Sequence, residues 1–227
     1  RGGASNQNLI LYNGATVYNP SHLFGFFSTF NPDAVKGIEL YKSGLEADKG
    51  GRLSSVIDVT SREGNLKKFT ATGGLSPVTG RLTLEGPLAK GRTSFLIAGR
   101  STYSDWILKQ IQNRGFSNST AGFYDMNLNV SHKVNDNNQV VLSAYSSRDK
   151  FRLKSDTLYQ YSDQNASLRW AHRFRQRNFA DFSAAVSRYD FSMSSDKNEA
   201  SAFRFRYSIL HSQARGSVSM ILNDRHT

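Results

Sequence analysis

The sequence contains no cysteine. That removes disulfides and thiolate metal sites, and it assigns no redox compartment. It contains no run of 18 apolar residues, so no transmembrane helix is expected. It begins without an initiator methionine and without a signal peptide, on Arg1-Gly2-Gly3, and is expected to be an internal piece of a longer protein. Acidic residues are few beside basic ones, 18 against 29, for a net charge of +11. Such a charge suits nucleic acid when gathered into one run or helix. Here the arginines are scattered along alternating segments, which argues against a nucleic-acid partner. Apolar residues make up 38% of the chain and mean hydropathy is −0.51. These values suit a soluble protein, yet membrane strands with period-two amphipathicity average to equally low hydropathy.

What is present falls into two parts. Up to Arg62 the pattern is mixed and punctuated by glycine. Leu9-Ile10-Leu11-Tyr12 reads as a short buried strand, Asn13-Gly14 as a turn, and Ala15 to Tyr18 as its continuation. Leu23 to Phe30 is dense in phenylalanine and is expected to form one or two helical turns. Asn31 is placed to cap a further short helix with Pro32 at its first position. Ile38 to Tyr41 and Val56 to Thr60 read as strands, with turns at Ser43-Gly44 and Gly50-Gly51.

From Phe69 onward nearly every segment alternates. In residues 124–134 the even positions are apolar apart from His132 and the odd positions polar, a length suited to a tilted membrane strand of roughly 9–11 residues. Ala166 to Phe174, Phe203 to Ile209 and Ala214 to Leu222 repeat the alternation, and weaker examples bring the expected number to about nine or ten strands of ordinary length. Aromatic residues near strand ends (Phe123, Tyr124, Tyr189, Phe203) fit the girdles at bilayer interfaces. The joins are short on one side, as at residues 135–138, and longer on the other, as at 149–163 and 192–201. Alternation alone also describes a soluble β-sandwich.

Several motifs in order resemble the second half of the plug of TonB-dependent outer-membrane receptors. They are Arg1-Gly2, Leu9-Ile10-Leu11-Tyr12-Asn13-Gly14, Ile38-Glu39-Leu40-Tyr41-Lys42-Ser43-Gly44, and Gly50-Gly51-Arg52-Leu53 running on to Thr60. Residues 18–27 resemble the Bacteroidetes branch of that family. Gly86-Pro87-Leu88 and residues 124–128 resemble early barrel strands. Lys49 stands where the family often has tyrosine, and the starch-importer signature is missing. The resemblance implies a membrane all-β fold: part of an antiparallel transmembrane β-barrel of 22 strands, residues 63–227, entered by the C-terminal part of a small α/β plug, residues 1–62. It implies active uptake of a scarce nutrient such as a siderophore, glycan or peptide. The implied partners are an energy-coupling protein of the TonB type, outer-membrane lipid and lipopolysaccharide, and the small nutrient ligand; a surface lipoprotein partner stays open. The implied location is the outer membrane of a Gram-negative cell. A passive or structural barrel that retained a plug, such as an adhesin or assembly factor, is the alternative, and a soluble basic β-protein a further one.

No cofactor and no enzyme is expected. The five histidines never stand in metal-ligand spacing, and neither a nucleophile elbow nor a phosphate-binding glycine loop is present. In the receptors that the chain resembles, outward plug loops touch the ligand. That assigns ligand contact to Ser5, Asn6, Gln7, Tyr18, Asn19 and His22. Phe24, Phe26, Phe27 and Phe30 are expected to fill the core. Arg169, Arg173, Arg204 and Arg206 are expected to face the lumen, toward Glu39, Asp48, Asp58 or an anionic ligand.

Overall fold

Four consecutive large apolar residues are covered only when both faces of a strand are buried. The computed structural model describes residues 7–42, 52, 54–89, 91–103, 119–152, 157–175, 178–195 and 199–220, with backbone alone at Phe24 and Arg175. In it Leu9–Tyr12 form β1, and Leu11 and Tyr12 on its opposite faces are both buried. β1 turns into β2 (Ala15–Thr16) through Asn13 and Gly14, at φ 50° and 82°. Positive φ at both positions is the two-residue hairpin turn for which Asn-Gly is best suited.

Two very short strands follow, β3 (Ser21–His22) and β4 (Phe27–Ser28), and then β5 (Val35–Tyr41) and β6 (Val56–Ser61). β2, β1, β6 and β5 make one sheet in that order. β1 runs parallel to β6, and the other two pairings are antiparallel. Tyr12, Val17 and Val59 form the core of this unit, with Ile10, Phe30, Val35 and Ile57 packed around it.

The expected helices are not there. A single 3-10 turn, Leu23–Gly25, occupies the phenylalanine-rich stretch. Asn31 caps a turn, accepting from the Asp33 N–H on its side chain and the Ala34 N–H on its carbonyl. Too few residues separate β3, β4 and β5 for a helix to nucleate and bury a face. Among the described residues the unit is therefore all-β rather than α/β. The turns expected at Ser43-Gly44 and Gly50-Gly51 lie outside the described residues.

The second unit is one antiparallel sheet of eight strands in chain order. They are β7 (Thr70–Leu75), β8 (Thr79–Ala89), β9 (Thr93–Thr102), β10 (Thr120–Asn135), β11 (Asn138–Arg152), β12 (Thr157–Arg175), β13 (Asn178–Ser195) and β14 (Phe203–Met220). β7 and β14 are its two edges. Among the described residues eight strands stand where nine or ten were expected, because the segments beginning at Phe203 and Ala214 are a single strand of 18 residues. Strands also run far into the stretches read as long loops: β11 reaches Arg152 and β13 reaches Ser195.

Registry sorts the side chains into two faces. On β10 to β14 the odd-numbered residues share the face toward the N-terminal unit, and the even-numbered residues share the outer face. On the inner face Asp125, Asn127, Asn129, Ser131, Ser143 and Ser167 are buried; on the outer face Tyr124, Met126, Leu142, Leu168, Trp170 and Val186 are exposed. The even positions of 124–134 thus point away from the N-terminal unit, as expected. Between the two units the chain passes close over β9. A Cβ at Gly64 would collide with the backbone carbonyl of Phe95, so the crossing requires glycine.

Several orientations differ from expectation. Phe123 is buried on the inner face and Tyr189 also points inward. Phe203, Phe205, Tyr207 and Ile209 occupy inner positions, and Arg204 and Arg206 occupy outer ones. The apolar parity of β14 had suggested the reverse. Arg169 is on the inner face, where it pairs with Asp181 of the neighbouring strand.

Candidate functional site

The segment from Val17 to Asn31 leaves β2, folds into the β3–β4 hairpin, and meets the large sheet at two successive register rows. One row is Asp125, Ser147, Asp163, Tyr189 and Ile209; the other is Phe123, Asp149, Tyr161, Phe191 and Tyr207. Three aspartates from three adjacent strands therefore face one loop.

His22 stands at the centre of the contact and is wholly buried. Its Nδ1 lies 2.7 Å from Asp149 Oδ2, and its Nε2 lies 3.5 Å from Asp125 Oδ2. Its ring stacks on Phe123 with centroids 4.2 Å apart. Burial disfavours the imidazolium, but the hydrogen bonds and attraction of Asp125 and Asp149 outweigh it, and the pKa is raised above 6.5. The Leu23 N–H donates to Asp149 Oδ1 at 3.2 Å, and Leu23 is held at φ +49°. A left-handed leucine costs of order 1–3 kcal/mol and persists only where the surroundings fix it; here the same carboxylate holds both residues. Thr29 bonds the Tyr145 hydroxyl at 2.9 Å.

Further contacts fasten the unit on either side. Asp163 Oδ2 accepts from the Tyr18 and Asn19 N–H groups at 2.8 and 3.2 Å. Arg100 donates to Asp125 at 2.7 Å and to the Ser28 carbonyl at 2.6 Å, with its guanidinium over the Phe123 ring. Arg62 pairs with Glu85 and Arg81 with Asp33. Asn129 donates to Ser61 and Ser143, while Glu63 accepts from Ser131 and Gln139. Below, a polar cavity of about 330 Å³ lies between the units, with Lys36, Asp58, Arg169 and Arg215 in its lining.

Above the contact the inner face turns aromatic. Tyr18 meets Tyr189 at 6.0 Å, Tyr189 meets Tyr207 at 6.1 Å, and Phe191 stacks on Tyr207 at 5.1 Å. Phe205 joins them. Phe205 and Tyr207 are exposed, so the shelf presents ring faces to open space. Burial raises the Tyr18 pKa. Among the described residues no cluster of His, Asp and Glu is arranged to hold a metal ion.

The expected site residues separate. Tyr18 lies on the aromatic shelf and Asn19 beside it. Gln7 begins the described chain, half-buried ahead of β1, and Ser5 and Asn6 lie outside the described residues. His22 is removed from any open space and engages the large sheet, because a buried imidazole between two carboxylates is fully used there. Of the phenylalanines, Phe30 stacks on Tyr12 and Phe27 packs on Phe123, whereas Phe26 is 86% exposed. Asp125, Asp149, Asp163 and the inner aromatics of β13 and β14 were missed. Their signal was present: three aspartates on the otherwise Ser/Asn-rich parity of three neighbouring strands.

No protein-family model matches the sequence, and no curated protein is similar to it. Solved structures are similar. A mutant ferric enterobactin receptor (PfeA) of Pseudomonas aeruginosa superimposes with TM-score 0.65 at 14% identity, over 93% of this chain and 38% of that one. The siderophore receptor PirA of Acinetobacter baumannii gives 0.63 at 14%, over 92% and 37%. The copper transporter OprC gives 0.62 at 12%, over 93% and 36%. The chain thus spans less than half the length of each. These neighbours are receptors and transporters by name, and the chain shares the fold of the part it matches.

Proposed function

We propose that this chain is part of an outer-membrane receptor for active uptake, residues 63–227 forming a portion of a transmembrane barrel wall and residues 1–62 the C-terminal part of its plug. One observation carries the reading. The strands that offer an apolar outer face hold the N-terminal unit on their inner face by hydrogen bonds and ion pairs. Apolar contact between the units is present as well: Tyr145 joins Tyr12, Val17 and Val59, Ala34 meets Leu96 and Ala98, and Phe27 packs on Phe123. A polar contact can be exchanged for water when the plug moves, at a small net cost per hydrogen bond.

Cargo binds at the aromatic shelf, on Tyr18, Tyr189, Phe191, Phe205 and Tyr207, with Asn19, Gln7, Ser5 and Asn6 as further contacts from the plug. Flat ring faces suit a siderophore-class ligand carrying aromatic or extended planar groups. An inner-membrane coupling protein of the TonB type then draws on the plug from the other side. A copper transporter shares the fold, so the fold does not choose the cargo and the shelf must. The test is uptake of radiolabelled ferric siderophore in cells whose only route is this receptor. Uptake is expected to stop when the protonmotive force is collapsed. Tyr207→Ala is expected to weaken binding by roughly three- to tenfold, the scale of one aromatic contact. Uptake that survives collapse of the force identifies a passive barrel instead.

A further inference from the structure

The segment that carries Tyr18 to the aromatic shelf is tied to the wall at both ends. The N–H groups of Tyr18 and Asn19 donate to Asp163, and the Tyr18 ring meets Tyr189. At the other end His22 fills the gap between Asp149 and Asp125. Pro20 stands between the two ties. Its ring fixes its φ, and its carbonyl accepts from the Thr29 N–H at 3.0 Å. Ser21 and His22 pair with Ser28 and Phe27 in the β3–β4 hairpin. A shift of His22 is therefore passed along a stiff, short connection to Tyr18.

Donors are scarce in this contact. Asp125 Oδ1 and Asp163 Oδ1 are buried without a hydrogen-bond partner. The charged groups that face His22 are Asp125 of β10, Asp149 of β11 and Asp163 of β12, with Arg100 of β9 held on Asp125. The neutral ones are the Thr29 and Tyr145 hydroxyls and the Phe123 ring. An imidazolium carries a proton on each nitrogen, one for Asp149 and one toward Asp125. A neutral ring has a single N–H. When that proton serves Asp149, Nε2 turns a lone pair toward Asp125 Oδ2 across 3.5 Å. One cation rather than two then stands against three carboxylates. The Thr29 hydroxyl, 3.4 Å from Nε2, can donate to that lone pair but brings no charge. The stack on Phe123 also favours the charged ring.

We propose that His22, as an imidazolium, is a positioning residue for the shelf: it docks the β3–β4 hairpin, sets Tyr18 against Tyr189, and so makes cargo binding tighter in acid than in alkali. The inference rests on the reading of the shelf as the cargo site. Burial disfavours the charged ring, but the hydrogen bonds and attraction of Asp125 and Asp149 outweigh it, so the proton is held above pH 6.5. Below that value the hairpin is fully docked. As pH rises through the folded value the proton leaves and the hairpin is held by fewer contacts. Asp163 keeps its hold on the Tyr18 N–H, so the ring loosens and does not depart. The loss of affinity is bounded by the share of one aromatic contact, roughly three- to tenfold.

The test reads the shelf both without cargo and with it, in the intact receptor in phosphatidylcholine nanodiscs. 4-(Trifluoromethyl)phenylalanine in place of Tyr18 reports the ring current of Tyr189 in its fluorine shift, and Tyr189→Leu identifies that contribution. From about pH 6 to about pH 9 the signal is expected to move toward its position in the Tyr189→Leu protein, and in His22→Gln to stay fixed. Affinity of the native protein for a ferric trihydroxamate, a complex whose charge is constant over that range, is expected to fall roughly three- to tenfold. In His22→Gln it is expected to be weak and level throughout. A native fluorine signal that does not move with pH overturns the proposal, as does an affinity that stays level while the signal moves. If His22→Gln does not fold, the native profile still decides. The fluorine signal needs no cargo, so a receptor that binds none of the probe loses the cargo reading of the shelf, while the role of His22 in placing the ring is judged separately.

Discussion

The lower and upper halves of the same strands obey one parity and opposite chemistries. In the lower half, polar residues face inward (Asn129, Ser143, Ser167) and apolar residues outward (Leu128, Ala144, Ala166). In the upper half, aromatics face inward (Tyr161, Phe191, Tyr207), with arginine, lysine and serine outward (Arg148, Lys150, Ser162). The backbone does not distinguish the halves, since the register between β11 and β12 runs without a shift from Phe151 to Asn138. What changes is the surroundings. In the proposed receptor, the lower outer face meets hydrocarbon and the lower inner face a polar plug. The upper outer face meets headgroups, and the upper inner face meets cargo. Alternation therefore reports that a strand has two environments without saying which side is which.

The largest expected effect tests the lower half. Leu128→Arg should cost about 2–4 kcal/mol in the folding equilibrium of the barrel in lipid, the penalty for a basic residue near the bilayer midplane. Ser162→Arg, on the same face two rows higher, should cost less than about 0.5 kcal/mol. Equal costs in urea titrations of vesicle-inserted protein would remove the distinction between the halves. Asn129 is not the mild control that alternation alone suggests. It is buried and donates to Ser61 and Ser143, so an arginine there breaks both bonds and does not fit.

Much of this was legible in the sequence. β1, β6 and the cores of β8 to β13 follow from apolar runs and from period two, and the Asn13-Gly14 turn from its residues. The helices expected between Leu23 and Pro32 did not form, because local capping signals carry about 1 kcal/mol and the segment is instead held by Asp125, Asp149 and Asp163 from more than ninety residues away. For the same reason His22 read as a ligand contact. A histidine in a polar, aromatic loop looks exposed until its carboxylate partners are known. The inward turn of Phe205 and Tyr207 was hidden because parity alone has no sign. Only registry to Tyr189 and Asp163, which touch Tyr18, supplies it.

The boundary between the halves is where the loop is held, and Asp149→Asn is the next most informative change. The amide keeps the shape but loses the charge that faces His22 and one of the acceptors serving His22 Nδ1 and the Leu23 N–H. A charge-assisted buried bond replaced by a neutral or missing one costs about 1–3 kcal/mol. The loss should appear as faster amide exchange confined to residues 21–29, with the exchange of β10 to β12 unchanged. Exchange that accelerates throughout the sheet would mean that the aspartate supports the wall itself and not the docked loop.

The smallest effect is the most specific to this boundary. The groups that face His22 are Asp125 and Asp149, Arg100 through its shared hold on Asp125, and the Thr29 and Tyr145 hydroxyls. The two carboxylates raise the folded pKa of His22 above its unfolded value of 6.5 despite burial. A raised pKa means that the docked state binds the proton more tightly than the undocked one. The stabilisation it gives is therefore fully present below about pH 6.5 and is lost as pH rises through the folded value. The loss is partial, because neutral imidazole still donates one N–H to Asp149. Amide exchange of residues 21–29, corrected for intrinsic rates, should thus accelerate as pH rises from 6 toward 9 in the native protein, while His22→Gln should exchange faster throughout and show no such rise. A native profile that stays flat over this range would mean that His22 docks uncharged, leaving its hold on the wall to a single hydrogen bond and to the stack on Phe123.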